Sequence, residues 1–359
     1  MRDEKMGVCV GARYDSATPL AANNGDVGVV RGFCELPGMT PAAAVRLAAL
    51  NGDVDAVRRL CASRGANPDA DDNCAIRLAA HWGRVGVVRY LCELPGDRGV
   101  NPAAQDNSAI RSAADRGHVD VVRYLCELPA DRGVNPAADD NYAIRSAARW
   151  GHVDVVRYLC ALPGDRGVNP AADDNYAIGL AARWGSVDVV RYLCELPDDR
   201  GVNPGAQHNY AIRLAADRGH VDVVRYLCAL PGDRGVNPAA QHNYAIRSAA
   251  DRGHVDVVRY LCELPGDRGV NPGAEDNYAI RSAADHGHVD VVRYLCELPC
   301  DRGVNPGAQH NYAIRLAADR GHVDVVLYLC ALPGDRGVNP GAQHNYAIRL
   351  AADRGHVDV

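Results

Sequence analysis

Lysine is nearly missing from this chain. Lys5 is the only one, Phe33 is the only phenylalanine, and the tryptophans number three. Burial must therefore rest on Ala, Val, Leu, Ile, Tyr and Cys. An excess of one charge is missing too: the net charge is −6, and Arg is interleaved with Asp and Glu throughout. No basic stripe is available to follow a phosphate backbone, which disfavours nucleic acid as a partner. There is no run of about 18 apolar residues, so no membrane-spanning helix is expected. The opening MRDEKMGVCVGARYDSATPL carries charges but no continuous apolar core of the kind a secretory signal needs. The expectation is a soluble monomer inside the cell, in cytoplasm or nucleus, with no membrane partner. HExxH, GxGxxG after a strand, and GxxxxGK[ST] are all missing, and with them the usual signals for zinc hydrolysis, dinucleotide binding and nucleotide binding.

What is present looks at first like chemistry. Residues 247–272 read RSAADRGHVDVVRYLCELPGDRGVNP. Met once, His254 would be a base, Cys262 a nucleophile and Asp256 its orienter. The same words return elsewhere. GHVDVVRYLC begins at Gly117, Gly151, Gly219, Gly253 and Gly287, with near copies at Gly83, Gly185 and Gly321. From Gly83 to Gly355 the spacing is always 34. An active site is a single constellation, whereas a residue that recurs at a fixed period does one structural job in every repeat. A metal- or thiol-dependent enzyme is thereby the weakest of the readings. The recurring His stands two residues before an Asp, and such a pair does not share a helix face. It is expected to be a turn residue bonded to nearby backbone. Tandem acids in loops, such as Asp71-Asp72, are expected to be solvated. No metal, cofactor or catalytic residue is assigned.

The repeat from Asn107 to Asp140 shows what each copy builds. Asn107 is expected to cap a first helix. Ala109, Ile110, Ala113 and Ala114 then fall on one face at helical spacing. Gly117 suits the left-handed residue that ends it. A second helix follows, with Asp120 in its first turn and Val119, Val122, Leu125 and Cys126 as its inner stripe. Pro129 stops it, and the rest is turn chemistry. Each helix spans about ten residues, too short to be stable alone, so neighbouring repeats must hold it. Nine of the thirteen Cys, from Cys61 to Cys330, occupy one column. Stacked helices lie roughly 8–10 Å apart and a disulfide needs Cα atoms within about 7 Å, so the column reads as buried, reduced thiols. Cys300 replaces a loop residue and is the thiol expected to react.

A period of 34 is also the tetratricopeptide number, but the long Pro/Gly/Asn/Asp-rich stretch in each repeat leaves room for only two short helices. The residues instead resemble ankyrin repeats. Ala249 to Leu261, AADRGHVDVVRYL, is similar to that family's Ala-Ala-x-x-Gly-His-x-x-Val-Val-x-x-Leu core, and Gly269 to Asn271 to its Gly-Ala-Asp-Val-Asn loop. The resemblance runs from about Ser16 to the C-terminus. It implies an all-α fold, an α-solenoid of stacked helix-turn-helix repeats with projecting loops. The Thr-Pro-Leu-His of the family is replaced by Tyr-Ala-Ile-Arg, as at Tyr244–Arg247. That change removes the Thr cap and the His that ties neighbouring loops. Two extra residues follow the second helix, so the family's hairpins are expected to be irregular loops. This Asn-Tyr-Ala-Ile variety is similar to arrays found in protists and in large DNA viruses that infect amoebae. The expected division is a tail over 1–16, capping and short repeats over 17–73, and the 34-residue array over 74–359, its last copy truncated. Thr18-Pro19-Leu20 and Thr40-Pro41 are read as helix starts, giving ten complete helix pairs and half of an eleventh.

Function is then sought where the repeats differ. Columns that never change build the stack, and those that vary are free to read a partner. At the end of the first helix they read His81-Trp82, Asp115-Arg116, Arg149-Trp150 and Arg183-Trp184, then Asp-Arg or Asp-His. Ahead of it they read Asp139-Asp140 and Asp173-Asp174, then mostly Gln-His. The resemblance implies that loop tips and inner helices form a concave binding face. Trp and Arg dominate interface hot spots. Trp82, Arg149, Trp150, Arg183, Trp184, Asp139, Asp140, Asp173 and Asp174 are the expected partner-binding residues of a non-catalytic protein-interaction scaffold. The opposing view is that each Trp covers the next helix pair. A substrate-recruiting adaptor for a ubiquitin ligase, or a host-interaction protein, is the alternative role.

Overall fold

A computed structural model describes residues 39–63, 66–95, 98–336 and 338–359. The 1–16 tail and the Thr18-Pro19-Leu20 helix start lie outside them. The described residues form nineteen α-helices and no strand. Pairs run from Pro41–Asn51 with Val54–Ala62 to Ala308–Arg320 with Val323–Cys330, and Ala342–Arg354 stands without a second helix. The chain divides into two compact units, Met1–Ala172 and Asp173–Val359. Within each, first helices pack on first helices and second helices on second. Each unit is thus an all-α stack of helix-turn-helix repeats.

The elements start and stop where local chemistry dictates. Thr40 caps the first described helix, its hydroxyl accepting the Ala43 N–H at 3.2 Å, with Pro41 at the position where a missing N–H costs nothing. Gly117 (φ 77°) ends the helix before it, and the Ala114 carbonyl accepts its N–H. Val119–Glu127 ends because Leu128, ahead of Pro129, is extended at φ −60° and ψ 146°. Ala109, Ile110, Ala113 and Ala114 are fully buried. The buried stripe of the second helix is Val121, Val122, Leu125 and Cys126. Val119, expected in it, is only half-buried, because the helix begins there and its first turn faces the repeat edge. No hairpin strands form among the described residues; from Ala130–Arg132 onward the loop after each second helix holds one 3-10 turn.

The first helices depart from expectation at their N-termini. Gln105, Asp106 and Asn107 have φ of 54°, 52° and 62° and ψ of 55°, 48° and 35°. They make one left-handed turn, closed by the Asn107 N–H donating to the Ala103 carbonyl at 2.9 Å, before the right-handed helix begins. Every first helix from Ala70–His81 onward does this, from Asp71-Asp72-Asn73 to Gln343-His344-Asn345, whereas Pro41–Asn51, capped by Thr40, does not. A left-handed residue other than Gly costs roughly 1–2 kcal/mol. Asn, Asp and His tolerate it best, and no β-branched residue occupies these places. Asn107 is therefore not a cap on its own helix. Its Oδ1 accepts the Asn135 N–H of the next repeat at 2.7 Å, and the same bond runs from Asn203 to Asn175 and from Asn305 to Asn277.

Further side chains tie each repeat to the one before it. His152 Nε2 bonds the Asp115 carbonyl at 3.1 Å, and His254 does the same to Asp217. These His are bonded to backbone as expected, but 37 residues away and in the preceding repeat. They restore the tie that the lost Thr-Pro-Leu-His would have supplied. A carbonyl only accepts, so Nε2 carries the hydrogen. Nδ1 lies over the preceding glycine: a Cβ on Gly117 would come within 2.5 Å of His152 Nδ1, and one on Gly219 within 2.6 Å of His254 Nδ1. The Leu-Pro-Gly-Asp-Arg insertion has a purpose as well. Arg132 donates to the Cys92 carbonyl at 2.7 Å and to the Val100 carbonyl at 3.1 Å, and Arg268 reaches the Cys228 carbonyl at 2.8 Å. The loop thereby places a cation on the C-terminal end of the preceding second helix, where the dipole is negative.

Two outcomes follow for stability. Gly219→Ala should cost about 2 kcal/mol, since it meets both the positive φ and the His254 ring, whereas His208→Gly, relieving a left-handed residue at φ 55°, should gain about 0.5 kcal/mol. Urea midpoints decide, and a loss for His208→Gly would mean that this turn is right-handed, where Gly costs about 1 kcal/mol. Burial, the largest cause, holds the His118, His220 and His288 rings below the usual imidazole value. Arg84 and Arg116 near His118, and Arg218 near His220, add to the effect. The unfolded chain then binds more protons below about pH 6.5. Stability should be complete above that value and fall as pH drops toward about 5. Melting temperatures across that range should fall, and less steeply for a His118→Gln/His220→Gln/His288→Gln variant.

Candidate functional site

The varying columns fall on the left-handed turn and on the last two residues of the first helix, and in both places the side chains have partners. In the first unit Asp139 and Asp140 are exposed, at φ 55° and 53°. The Asp139 carboxylate lies 3.1 Å from the Arg111 guanidinium of the preceding repeat. Asp71 pairs with Arg46, and Asp72 accepts from Gln105 at 2.8 Å. Asp71, Asp72 and Asp139 thus bond residues of adjoining repeats and are not simply solvated. In the second unit Asp173 and Asp174 are exposed, and the Asp173 carbonyl accepts from Gln207 at 3.5 Å.

Trp150 is 47% exposed and Trp184 45%; Trp82 is half-buried, its ring edge-on to His81 at 5.3 Å. Trp150 Nε1 donates to Asp115 of the preceding repeat at 2.9 Å, and the Arg149 guanidinium sits 4.7 Å from its ring. Equivalent residues in some other repeats make the same bond. Arg320 reaches Asp285 at 3.1 Å and Arg354 reaches Asp319 at 3.1 Å. Trp150 therefore keeps the stacking bond that Arg makes and adds a ring that the stack leaves in solvent. Arg183 offers its carbonyl to His220 at 3.0 Å. Arg149 and Trp150 belong to the first unit, Arg183 and Trp184 to the second.

The residues that resembled a triad have separate employments. His254 Nε2 is bonded to the Asp217 carbonyl, Asp256 is exposed, and Cys262 is buried, which pushes its thiol up to about 12. No group of three or more His, Cys, Asp or Glu among the described residues could hold a metal ion. A shallow groove among Val119, Arg123, Asp154, Arg157 and Tyr158 is a consequence of stacking: Tyr158 donates to the Arg123 carbonyl at 3.4 Å and lies 5.2 Å from its guanidinium. Sequence reasoning missed a second set of such pairs on the first helices, where the Arg of one repeat covers the Tyr of the next, as Arg111 does Tyr142 at 5.0 Å. The only signal for it was that both columns are nearly constant.

The family model described as Ankyrin repeats (3 copies) matches residues 45–136, 94–174, 113–207, 178–276, 214–309 and 247–343. Among solved structures, an ankyrin repeat family protein from Legionella pneumophila is 23% identical, with 79% of this chain and 87% of that one covered and a TM-score of 0.36. No curated protein matches. Among the described residues no helix is long and apolar enough to cross a membrane.

Cys92 through Cys296 of the Cys column are buried, as expected, but Cys330 is exposed together with Cys300. In the other repeats the following second helix covers this position, and among the described residues Ala342–Arg354 has no second helix after it. Burial raises the Cys126, Cys194 and Cys296 thiols to about 12. Brief alkylation near pH 8 should therefore label Cys300 and Cys330 and spare the rest of the column until urea is added. Peptide mass mapping reads the result, and native labelling of Cys262 at the rate of Cys300 would contradict it.

Proposed function

The chain belongs to the ankyrin-repeat family, and from that membership we propose that it is a non-catalytic scaffold, working inside the cell, that holds a protein partner on its first helices and left-handed turns. Ankyrin repeats are generally protein–protein interaction modules, and proteins built from them are typically non-catalytic. The observation that carries the assignment to this surface is the exposure of Trp150 and Trp184. They are the largest side chains in the described structure, yet nearly half of each stays in solvent, in a chain that buries every Ile of its complete repeats. The stack does not need the Trp150 ring, because Arg fills the same place at Arg320 and makes the same bond to the preceding Asp. A solvent-facing indole beside Arg149 has the composition of an interface hot spot. Asp139, Asp140, Asp173 and Asp174 stand exposed on the turns that adjoin these helices and would supply the polar rim. Trp82, less exposed, would contribute in the same way in its own repeat. Arg183, beside Trp184, matches Arg149 in role.

Two substitutions separate binding from stacking. Trp150→Arg retains a donor for Asp115 and removes the ring; Trp150→Ala removes both. Partner captured by the intact chain should be lost with either, at a cost of about 2 kcal/mol or more in affinity, while both urea midpoints stay near that of the parent. Trp184→Ala provides the same comparison in the second unit. Capture that survives all three variants would sink the assignment.

A further inference from the structure

We propose that the second unit binds an acidic, extended protein segment along the arginine–tyrosine row of its first helices; this rests on the scaffold reading above and names the chemistry of its partner. The Arg247 guanidinium lies 5.1 Å from the Tyr278 ring, Arg281 lies 5.6 Å from Tyr312, and Arg315 lies 4.8 Å from Tyr346. Arg315 and Arg281 also approach the Tyr of their own repeats, at 5.2 Å and 6.0 Å. The result is a ladder in which cations and rings alternate. Tyr244, Tyr278 and Tyr312 are exposed.

The ladder in the first unit carries its own counter-ions, with Arg46 on Asp71 and Arg111 on Asp139. In the second unit the place of Asp139 is taken by Gln241, Gln309 and Gln343, opposite Arg213, Arg281 and Arg315. Besides Asp173 at its start, the second unit keeps one acid in that column, Glu275, which lies 3.4 Å from His242. No ion pair forms at Arg213, Arg247, Arg281 or Arg315 among the described residues; Arg213 and Arg281 donate to backbone carbonyls, of His208 at 3.4 Å and of Glu275 at 3.1 Å, and the Nε of all four, like that of Arg111, is buried without a hydrogen-bond partner. A run of half-buried guanidinium groups held flat against rings and lacking carboxylates is pre-organised for them: stacking orders the fork that bidentate recognition needs.

The second row on these helices decides between two polyanions. Asp285 and Asp319 recur beside the ladder, paired with Arg320 and Arg354. A nucleic acid, with a charge on every phosphate, would be forced against that acidic row by a chain whose net charge is already −6. A peptide can space its carboxylates. Repeats step by roughly 10 Å and an extended peptide by about 3.3 Å per residue, so one acid at about every third position meets successive arginines.

The test uses the full chain and a fluorescent peptide of repeated Glu-Gly-Ser, with the Gln-Gly-Ser peptide and a single-stranded oligonucleotide as controls. Anisotropy should show salt-sensitive binding of the Glu peptide alone. Arg281→Gln/Arg315→Gln should weaken it by about tenfold or more, and Arg111→Gln, in the first unit, should leave it unchanged. Gln309→Asp/Gln343→Asp covers the case in which the arginine variant unfolds: it rebuilds the counter-ion that Asp139 gives Arg111, so binding should fall while the urea midpoint holds or rises. Equal binding by the parent and both second-unit variants overturns the proposal, as does tighter binding of the oligonucleotide. Capture of a natural partner without any affinity for the Glu peptide overturns this proposal alone and leaves the scaffold reading standing.

Discussion

Helices of eight to thirteen residues cannot hold themselves in water, and their terminal carbonyls need donors that the same repeat does not provide. The whole architecture depends on that deficit. Arg132 serves the Cys92 carbonyl and Arg166 the Cys126 carbonyl; His152 and His254 serve Asp115 and Asp217. Each bond to such a terminus runs from a side chain of one repeat to backbone of its predecessor, so a repeat becomes ordered as its neighbour does. Apolar burial works on the same boundary. Ile110, Leu125 and Cys126 are buried by helices that lie roughly 34 residues away in the chain. Stability is then close to a sum over neighbouring pairs.

The left-handed turn is the local expense of this arrangement. Three residues in an unfavourable backbone region in each repeat from Asp71-Asp72-Asn73 onward cost several kcal/mol by the usual scale. Three features offset it: the closing backbone bond, the choice of Asn, Asp, Gln, Glu and His for these places, and the Asn side chain that reaches the next loop. The turn also lifts two polar residues clear of the stack, which makes it a site of tolerated variation. Asp139 and Gln241 can therefore occupy equivalent backbone with different consequences, one closing an ion pair to Arg111 and the other leaving Arg213 without a carboxylate.

The columns that vary are thus not free of structural duty. Trp150 hydrogen-bonds the preceding repeat as Arg320 does, and Asp139 neutralises Arg111. Variation acts by changing what remains after the stacking bond is made: an indole face in one repeat, an unpaired guanidinium ladder in others. Function in an array of near-identical repeats is a matter of these residues left over. The column of His, Asp and Cys that looked catalytic has little to spare, since its His is spent on a carbonyl and its Cys is buried.

The amino-acid sequence by itself determined the period, the two short helices in each repeat, the glycine and proline stops at Gly117 and Pro129 and the buried columns from Ile110 to Cys126. Those features depend on spacing and on side-chain type within a dozen residues, and both can be counted along a chain. Tertiary structure alone decided that Asn107 bonds Asn135 and not its own helix, that the insertion ending in Arg132 exists to serve Cys92, that Val121 and not Val119 faces inward, and that Cys330 is uncovered. These partners stand 28 to 40 residues apart, and a hydrogen bond over that separation depends on the register of the stack, which no local pattern encodes.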